Sequence, residues 1–219
     1  MADQLDLVTL DNPQSPAAEA YRALRMNLAF ASLDHELSIF VVASPSAVGM
    51  SPKAAANLAV VLAQSGKRVV LVDADLRRPS LAGLFGVPQE PGLTTHMLSA
   101  SGEEAVVPVE TAVPGLSLVA SGPLPPNPAD ILGSKRMTSL LEHLGSTADI
   151  VILQAPPVTV AVDASVLAAQ TDGLLLIVRA GQTRRDHVEQ AQDILERFRV
   201  RILGTVLTDA PSRGLMTGY

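Results

Sequence analysis

In the stretch "RVVLVDADLRRP" two aspartates and an arginine, Asp73, Asp75 and Arg77, emerge together from an apolar run. Ahead of it, "VVASPSAVGMSPKAAANLAVV" places a Gly/Ser/Pro turn between an apolar run and a helical stretch, with Gly49 and Ser51 at the close of the turn. Backbone N–H groups at such a turn, leading into a helix, suit the oxygens of a phosphate. Together these residues form a candidate phosphate site, with Gly49, Ser51, Lys53 and Arg77 toward the phosphates and Asp73 and Asp75 at the facing strand end. One position breaks the pattern. G-x-x-x-x-G-K-[ST] demands lysine where the chain has Met50. Lys53 lies three residues on, shares the helical face of Met50, and leans toward the amino end of its helix, so it is the cation placed to substitute.

The elements that would hold these residues alternate along the chain. The aliphatic runs "SIFVVAS", "RVVLVDA", "LSLVAS", "DIVILQA", "GLLLIVRA" and "RILGTVLTDA" read as strands. Helices are expected over 52–65, stopped by Gly66, and over 128–144, 162–169 and 184–198. Unbroken Val/Ile/Leu runs joined by helices describe strands buried on both faces. The expected fold is therefore an α/β, doubly wound, mostly parallel sheet flanked by helices. Ligands in such sheets bind beyond the carboxyl ends of the strands. Those ends are Ala43 to Ser51, Asp73 to Arg77, Gln154 to Pro157, Arg179 to Gly181, and Thr208 with Asp209.

The expected organisation is an extended amino-terminal arm over 1–14, one α/β domain over 15–210 opening with a helix over 15–34, and a flexible tail over 211–219. Ser15 as N-cap and Pro16 in the first turn mark the start of the opening helix. Leu24 and Leu28 share one stripe of it, and Glu19, Arg22 and Arg25, three apart, share the opposite flank. A charged flank is ordinarily the wet face of a helix. A second basic cluster, Arg179, Arg184 and Arg185, surrounds another helix start, and Tyr219 is the last residue.

Composition narrows the function classes. The chain has 219 residues, 47% of them hydrophobic and 17% charged, with a net charge of -6. This suits a sizeable core and opposes a nucleic-acid groove, which needs a basic face. With no cysteine there is no disulfide framework, thiolate nucleophile or Cys-based zinc site. His35, His96, His143 and His187 are scattered without ligand spacing. No apolar run reaches the roughly 18 to 20 residues that span a bilayer, and "MADQLDLVTLDNPQ" lacks the layout of a signal peptide. The expectation is a cytoplasmic protein, peripheral at the inner face of the plasma membrane and reaching it only through a partner.

Several segments resemble the cytoplasmic kinase domain of the bacterial tyrosine (BY) kinases, relatives of the MinD/ParA ATPases. "EAYRALRMN" is similar to that family's E-x-x-R-x-x-R helix, through Glu19, Arg22 and Arg25. "LVDADLRRP" is similar to its second acidic motif, through Asp73, Asp75 and Arg77. "SGPLPPNPADIL" is similar to its Pro-Pro-Asn-Pro segment, and "PPVTVAVDA" and "VRAGQTRR" fit the same template. The likeness covers nearly the whole chain. It implies ATP on the loop from Ser44 to Ser51, a lysine on the β- and γ-phosphates, a Ser/Thr hydroxyl and acidic residues on Mg²⁺, here Ser51, Asp73 and Asp75, and an acidic residue that activates a tyrosine hydroxyl. Phosphoryl transfer rests mostly on positioning and electrostatics, so these charges are the catalyst. It further implies an interface at the Glu19/Arg22/Arg25 helix in a homo-oligomeric ring, and a transmembrane polysaccharide co-polymerase or chain-length determinant as partner.

Against that template the chain departs at several charged positions. Met50 replaces the lysine, and Ser46 and Ala47 stand in place of Pro-Gly. Gln154 replaces the aspartate of "hhhhDxPP", Thr208 replaces the asparagine that reads adenine, and the tyrosine-rich tail is reduced to Tyr219, a single candidate phospho-acceptor. Gly49, Ser51, Asp73, Asp75, Arg77 and Asp163 are retained. The expectation is a pseudokinase scaffold in which Asp73 and Asp75 are the residual catalytic carboxylates. It requires no cofactor and binds ATP or ADP with Mg²⁺ only weakly, in a degenerate pocket that includes Gln154 and Thr208. It tunes exopolysaccharide or capsule synthesis or export, with no nucleic-acid partner, and works beside an active paralogous kinase. The alternative is an active, atypical tyrosine autokinase or ATPase that uses Lys53. A positioning ATPase of the MinD/ParA type lacks support in the loop.

Overall fold

The computed structural model describes residues 6–31, 37–48, 52–99 and 106–210. Seven strands form one sheet in the order β3-β4-β2-β5-β1-β6-β7. They are β1 (Ile39–Ala43), β2 (Val69–Asp73), β3 (Val109–Glu110), β4 (Leu116–Val119), β5 (Ile150–Gln154), β6 (Leu174–Arg179) and β7 (Ile202–Thr208). Every pairing is parallel except β3 with β4, which is an antiparallel edge. The expected doubly wound, mostly parallel sheet is the fold.

Strand side chains alternate between two cores, which is why the runs are apolar without interruption. Val41, Val70, Val72, Val151, Leu153, Leu174 and Leu176 face one side. There they meet α7 (Lys135–Thr147), α8 (Asp163–Ala168) and α9 (Arg185–Arg197) through Leu140, Leu144, Leu167 and Leu195. Phe40, Val42, Val69, Leu71, Ile152 and Leu175 face the other side, beneath α2 (Pro16–Ala31) and α3 (Pro52–Ala63). From Ala54 to Ala63 every residue of α3 is buried. Its alanines bring the helix close to the sheet while α2 covers its outer side. The chain leaves α3 through Gly66, whose φ of 88° is a left-handed conformation that glycine adopts without a Cβ clash.

Three expectations are corrected. The arm expected to be extended over 1–14 contains a helical turn, α1 (Val8–Asp11). Its cause is tertiary: Leu7 is fully buried, and the backbone N–H and hydroxyl of Thr9 both donate to Asn57 Oδ1 of α3, at 3.0 and 2.7 Å. The helix expected over 128–144 is two, α6 (Pro128–Leu132) and α7, divided at Gly133 and Ser134. Ser134 Oγ accepts from the backbone N–H of Met137 at 3.2 Å, and so caps α7. Between β2 and β4, where no element was expected, lie α4 (Leu81–Phe85), α5 (Leu93–Leu98) and β3. The opening helix expected over 15–34 is described to Ala31, the rest lying outside the described residues together with the tail over 211–219. Among the described residues no helix is long and apolar enough to cross a membrane.

Candidate functional site

Because the sheet is parallel, the loops after β1, β2 and β5 leave from one edge, and the strand order sets them side by side. After β1, Ser44 Oγ donates to the carbonyl of Ser46 at 2.9 Å, and Ser46 Oγ to that of Val48 at 3.2 Å. The backbone N–H groups of Val158 and Thr159 donate to the carbonyls of Ser44 and Pro45. The start of the Gly/Ser/Pro turn is thus strapped to the β5–α8 connection. Gly49, Met50 and Ser51, where the loop chemistry was expected, lie outside the described residues.

Asp73 ends β2 and is fully buried. Its Oδ2 accepts from the backbone N–H groups of Ser80 and Leu81 at 2.9 and 2.8 Å, which ties it to the start of α4. Its Oδ1 has no partner among the described residues. Burial pushes the carboxyl up to about 6, partly opposed by those two N–H groups, and the nearby Asp75 adds to the rise. Directly across, in register on β5, stands Gln154. It is 4% exposed, its Nε2 donates to the carbonyl of Ala155 at 3.1 Å, and its Oε1 has no partner among the described residues. Neighbouring strand ends therefore present two buried oxygens without donors among the described residues. Buried polar atoms are seldom left so, and two hard oxygens are the donor type that hydrated Mg²⁺ takes. The set fits the ion in chemistry but carries only one ionisable group. No cluster of three or more acidic or histidine side chains suited to a metal occurs among the described residues.

Asp75 is buried, and its Oδ1 accepts from the backbone N–H groups of Arg77 and Arg78 at 3.2 and 2.9 Å, fixing the turn after β2. Arg77 reaches the fully buried Asp163 at the start of α8 through a bidentate pair, Nε to Oδ2 at 2.8 Å and Nη2 to Oδ1 at 3.1 Å. The retained charges at this edge are thus already spoken for: Asp75 by its own turn, Arg77 by Asp163.

The remaining predicted residues lie further out. Lys53, in the first turn of α3, is half-exposed and its Nζ pairs with Asp6, a partner sequence reasoning did not supply. Thr208 closes β7 at the sheet's outer edge, its Oγ1 donating to the Val178 carbonyl at 3.5 Å, while Arg179 pairs with Asp209 beside it. On α2, Arg22 Nη1 pairs with Glu19 Oε2 at 2.8 Å and Nη2 donates to the Pro13 carbonyl, whereas Arg25 faces a cleft at the opposite edge of the sheet. Tyr219 lies outside the described residues. Tyr21 was missed: it is largely buried, and burial, helped by nearby Asp209, pushes its phenol up to about 12.

Comparison with known proteins supplies the family. The family model ParA, described as "NUBPL iron-transfer P-loop NTPase", matches residues 35–208. The chain is 35% identical over 204 residues to the tyrosine-protein kinase YwqD of Bacillus subtilis (strain 168), covering 93% of this chain and 86% of that protein. It is 33% identical over 209 residues to the tyrosine-protein kinase etk of Escherichia coli (strain K12), covering 95% of this chain and 29% of that protein. The solved kinase domain of Escherichia coli tyrosine kinase ETK superposes with a TM-score of 0.84 at 33% identity, covering 97% of this chain and 84% of that one. The chimerical protein CapA2B2 superposes with a TM-score of 0.86 at 29% identity, covering 94% and 90%. By the family model matched over 35–208, and by 35% identity over 93% of its length to a tyrosine-protein kinase, the chain belongs to the ParA-like P-loop NTPases, in the branch of the bacterial tyrosine kinases.

Proposed function

We propose that this chain is a regulatory, scaffolding member of the bacterial tyrosine-kinase family with weak or no ATP turnover. It binds the cytoplasmic segment of a transmembrane polysaccharide co-polymerase, assembles with copies of itself through Glu19, Arg22 and Arg25, and thereby tunes exopolysaccharide or capsule synthesis or export. Nucleotide with Mg²⁺ acts, where it binds, as a weak conformational ligand.

The observation that carries this reading is the Asp73/Gln154 pair. Two buried strand ends in register present one carboxylate and one neutral amide. An amide oxygen can bind a metal-held water but cannot balance Mg²⁺ charge. Met50 removes a cation from the phosphate side of the same site. A lost charge-assisted hydrogen bond to phosphate costs on the order of 1.5–3 kcal/mol, roughly ten- to a hundredfold in affinity. Lys53 is the one residue that sequence placed to restore the charge, and its ammonium is held by Asp6. That pair is exposed and weak, so a phosphate could displace Asp6 from Lys53, and the Lys53→Ala arm of the test decides the alternative.

The test is calorimetric titration of MgADP and MgATP into the native chain and into a Met50→Lys/Gln154→Asp variant. The expected result is little or no heat from the native chain and clear binding by the variant. Tight binding by the native chain, with turnover abolished by Lys53→Ala, establishes the active-kinase alternative instead.

A further inference from the structure

At the amino-terminal edge of the sheet, opposite Asp73 and Gln154, lies a cleft of about 390 Å³. That is within the range of roughly 300–1,000 Å³ of small-molecule sites. Its floor is apolar: Leu28 of α2, Phe40 of β1, Leu62 of α3 and Ile150 of β5. Its rim carries two cations from separate elements, Arg25 of α2 and Lys67 just ahead of β2.

The other polar groups around the cleft are already satisfied. Asp149 accepts from Arg68 Nη2 at 2.7 Å and from the Arg68 backbone N–H at 2.8 Å, and that partnership holds its carboxyl down at about 2. Ser65 Oγ donates to the Leu62 carbonyl at 2.7 Å, and Ser38 Oγ to Asp172 at 3.4 Å. Among the described residues Arg25 and Lys67 make no hydrogen bond or salt bridge; the charge of Lys67 contributes to holding Asp149 down, but that carboxylate is bonded to Arg68, and Glu19, six residues before Arg25, pairs with Arg22. The cleft therefore combines an apolar floor with two cationic side chains whose N–H groups make no hydrogen bond among the described residues. A guanidinium fork and an ammonium together suit a planar or tetrahedral oxyanion, and the floor suits the apolar body that carries it.

We propose that this cleft binds a small amphipathic anion, an apolar ring or chain bearing a carboxylate, phosphate or sulfonate group. Arg25 and Lys67 hold the anionic head, and Leu28, Phe40, Leu62 and Ile150 hold the body. This site stands apart from the nucleotide reading, because no residue is shared with the Asp73/Gln154 edge. Arg25 is shared with the proposed assembly helix, so Lys67, which lies outside that helix, separates the two roles.

The test is a fluorescence titration of the full chain with two probes that differ in charge, 8-anilinonaphthalene-1-sulfonate and its neutral counterpart N-phenyl-1-naphthylamine. Native protein is expected to bind the sulfonate at one site, at least tenfold tighter than the neutral probe. Arg25→Gln and Lys67→Gln should each weaken the sulfonate about tenfold, the loss expected for one charge-assisted hydrogen bond, and leave the neutral probe unchanged. Ala29→Trp, which fills the cleft from α2, should abolish binding of both, with circular dichroism showing the fold intact. Equal affinity for the two probes, sulfonate binding indifferent to Lys67→Gln, or no sulfonate binding at all would overturn the proposal. Failure of the assembly reading shows instead as a monomer whose probe binding is intact.

Discussion

At the scale of single residues, the site edge is a set of charges whose partners decide what they can still do. Asp73 is a buried acid whose carboxyl sits at about 6, against roughly 3.9 in an unfolded chain. The folded state therefore holds its proton more tightly, so the contribution of this group to stability falls as pH rises through that window, and above it the buried charge costs on the order of 3 kcal/mol. Asp73→Asn keeps an oxygen for the N–H groups of Ser80 and Leu81 but cannot ionise. In EDTA, its melting temperature should exceed that of the native chain at pH 7 and above, with the difference shrinking toward pH 4. A difference that does not vary with pH would mean that Asp73 is not an uncompensated buried acid. Arg77 raises the opposite case. Removing it leaves Asp163 buried without its partner, a change that is costly in a dry interior and smaller here because Arg77 is 44% exposed. Arg77→Ala should cost about 2 kcal/mol in urea unfolding, and adding Asp163→Asn should restore part of it by removing the orphaned charge. Asp73, Asp75 and Arg77 were legible as a strand-end group from their types alone. What each one touches was not, since Asp163 stands far along the chain.

At the scale of elements, the apolar runs and the signals at helix ends carried most of the information. Ser134 and Gly133 contained the break between α6 and α7, yet propensity on both sides favours helix and the interruption reads as continuous without the observed cap. The first helical turn, α1, was invisible for a different reason. Four residues have no helical period, and a helix so short does not form on its own. It exists because Leu7 is buried and Asn57 accepts twice from Thr9. Asn57 also donates to the Lys53 carbonyl at 2.7 Å, so one side chain joins α1 to the first turn of α3. Asn57→Ala is expected to cost about 2 kcal/mol by leaving buried donors of Thr9 unpaired. Hydrogen exchange should quicken at Leu10 and Asp11, whose N–H groups bond to the Leu7 carbonyl, while β1 and β5 stay protected. Uniform quickening across the chain would show that α1 is no separate unit.

At the scale of the whole molecule, the two edges of the sheet have different characters. The carboxyl edge gathers buried acids and their internal partners; the amino edge carries the apolar cleft lined by Arg25 and Lys67. The outer flank of α2 links this chain to the proposed assembly. Arg22→Ala/Arg25→Ala should shift the native oligomer toward monomer in sedimentation, and raising salt should do the same to the native chain, because exposed charge pairs are screened. A native chain that sediments as a monomer at tens of micromolar would remove assembly from the proposed function. Taken by itself, the sequence determined that there is a parallel sheet buried on both faces and which chain positions leave its carboxyl edge. The reason is local: only strands covered on both sides carry unbroken Val/Ile/Leu runs, as Val69 to Val72 and Ile150 to Leu153 do. Only the tertiary structure decided that β5 lies between β2 and β1, and so that Gln154 faces Asp73, that Arg77 is held by Asp163, that Lys53 pairs with Asp6, and that Arg25 and Lys67 line one cleft. Those neighbours are set by strand order and register between distant segments, and no spacing along the chain encodes which strand end a given residue will meet.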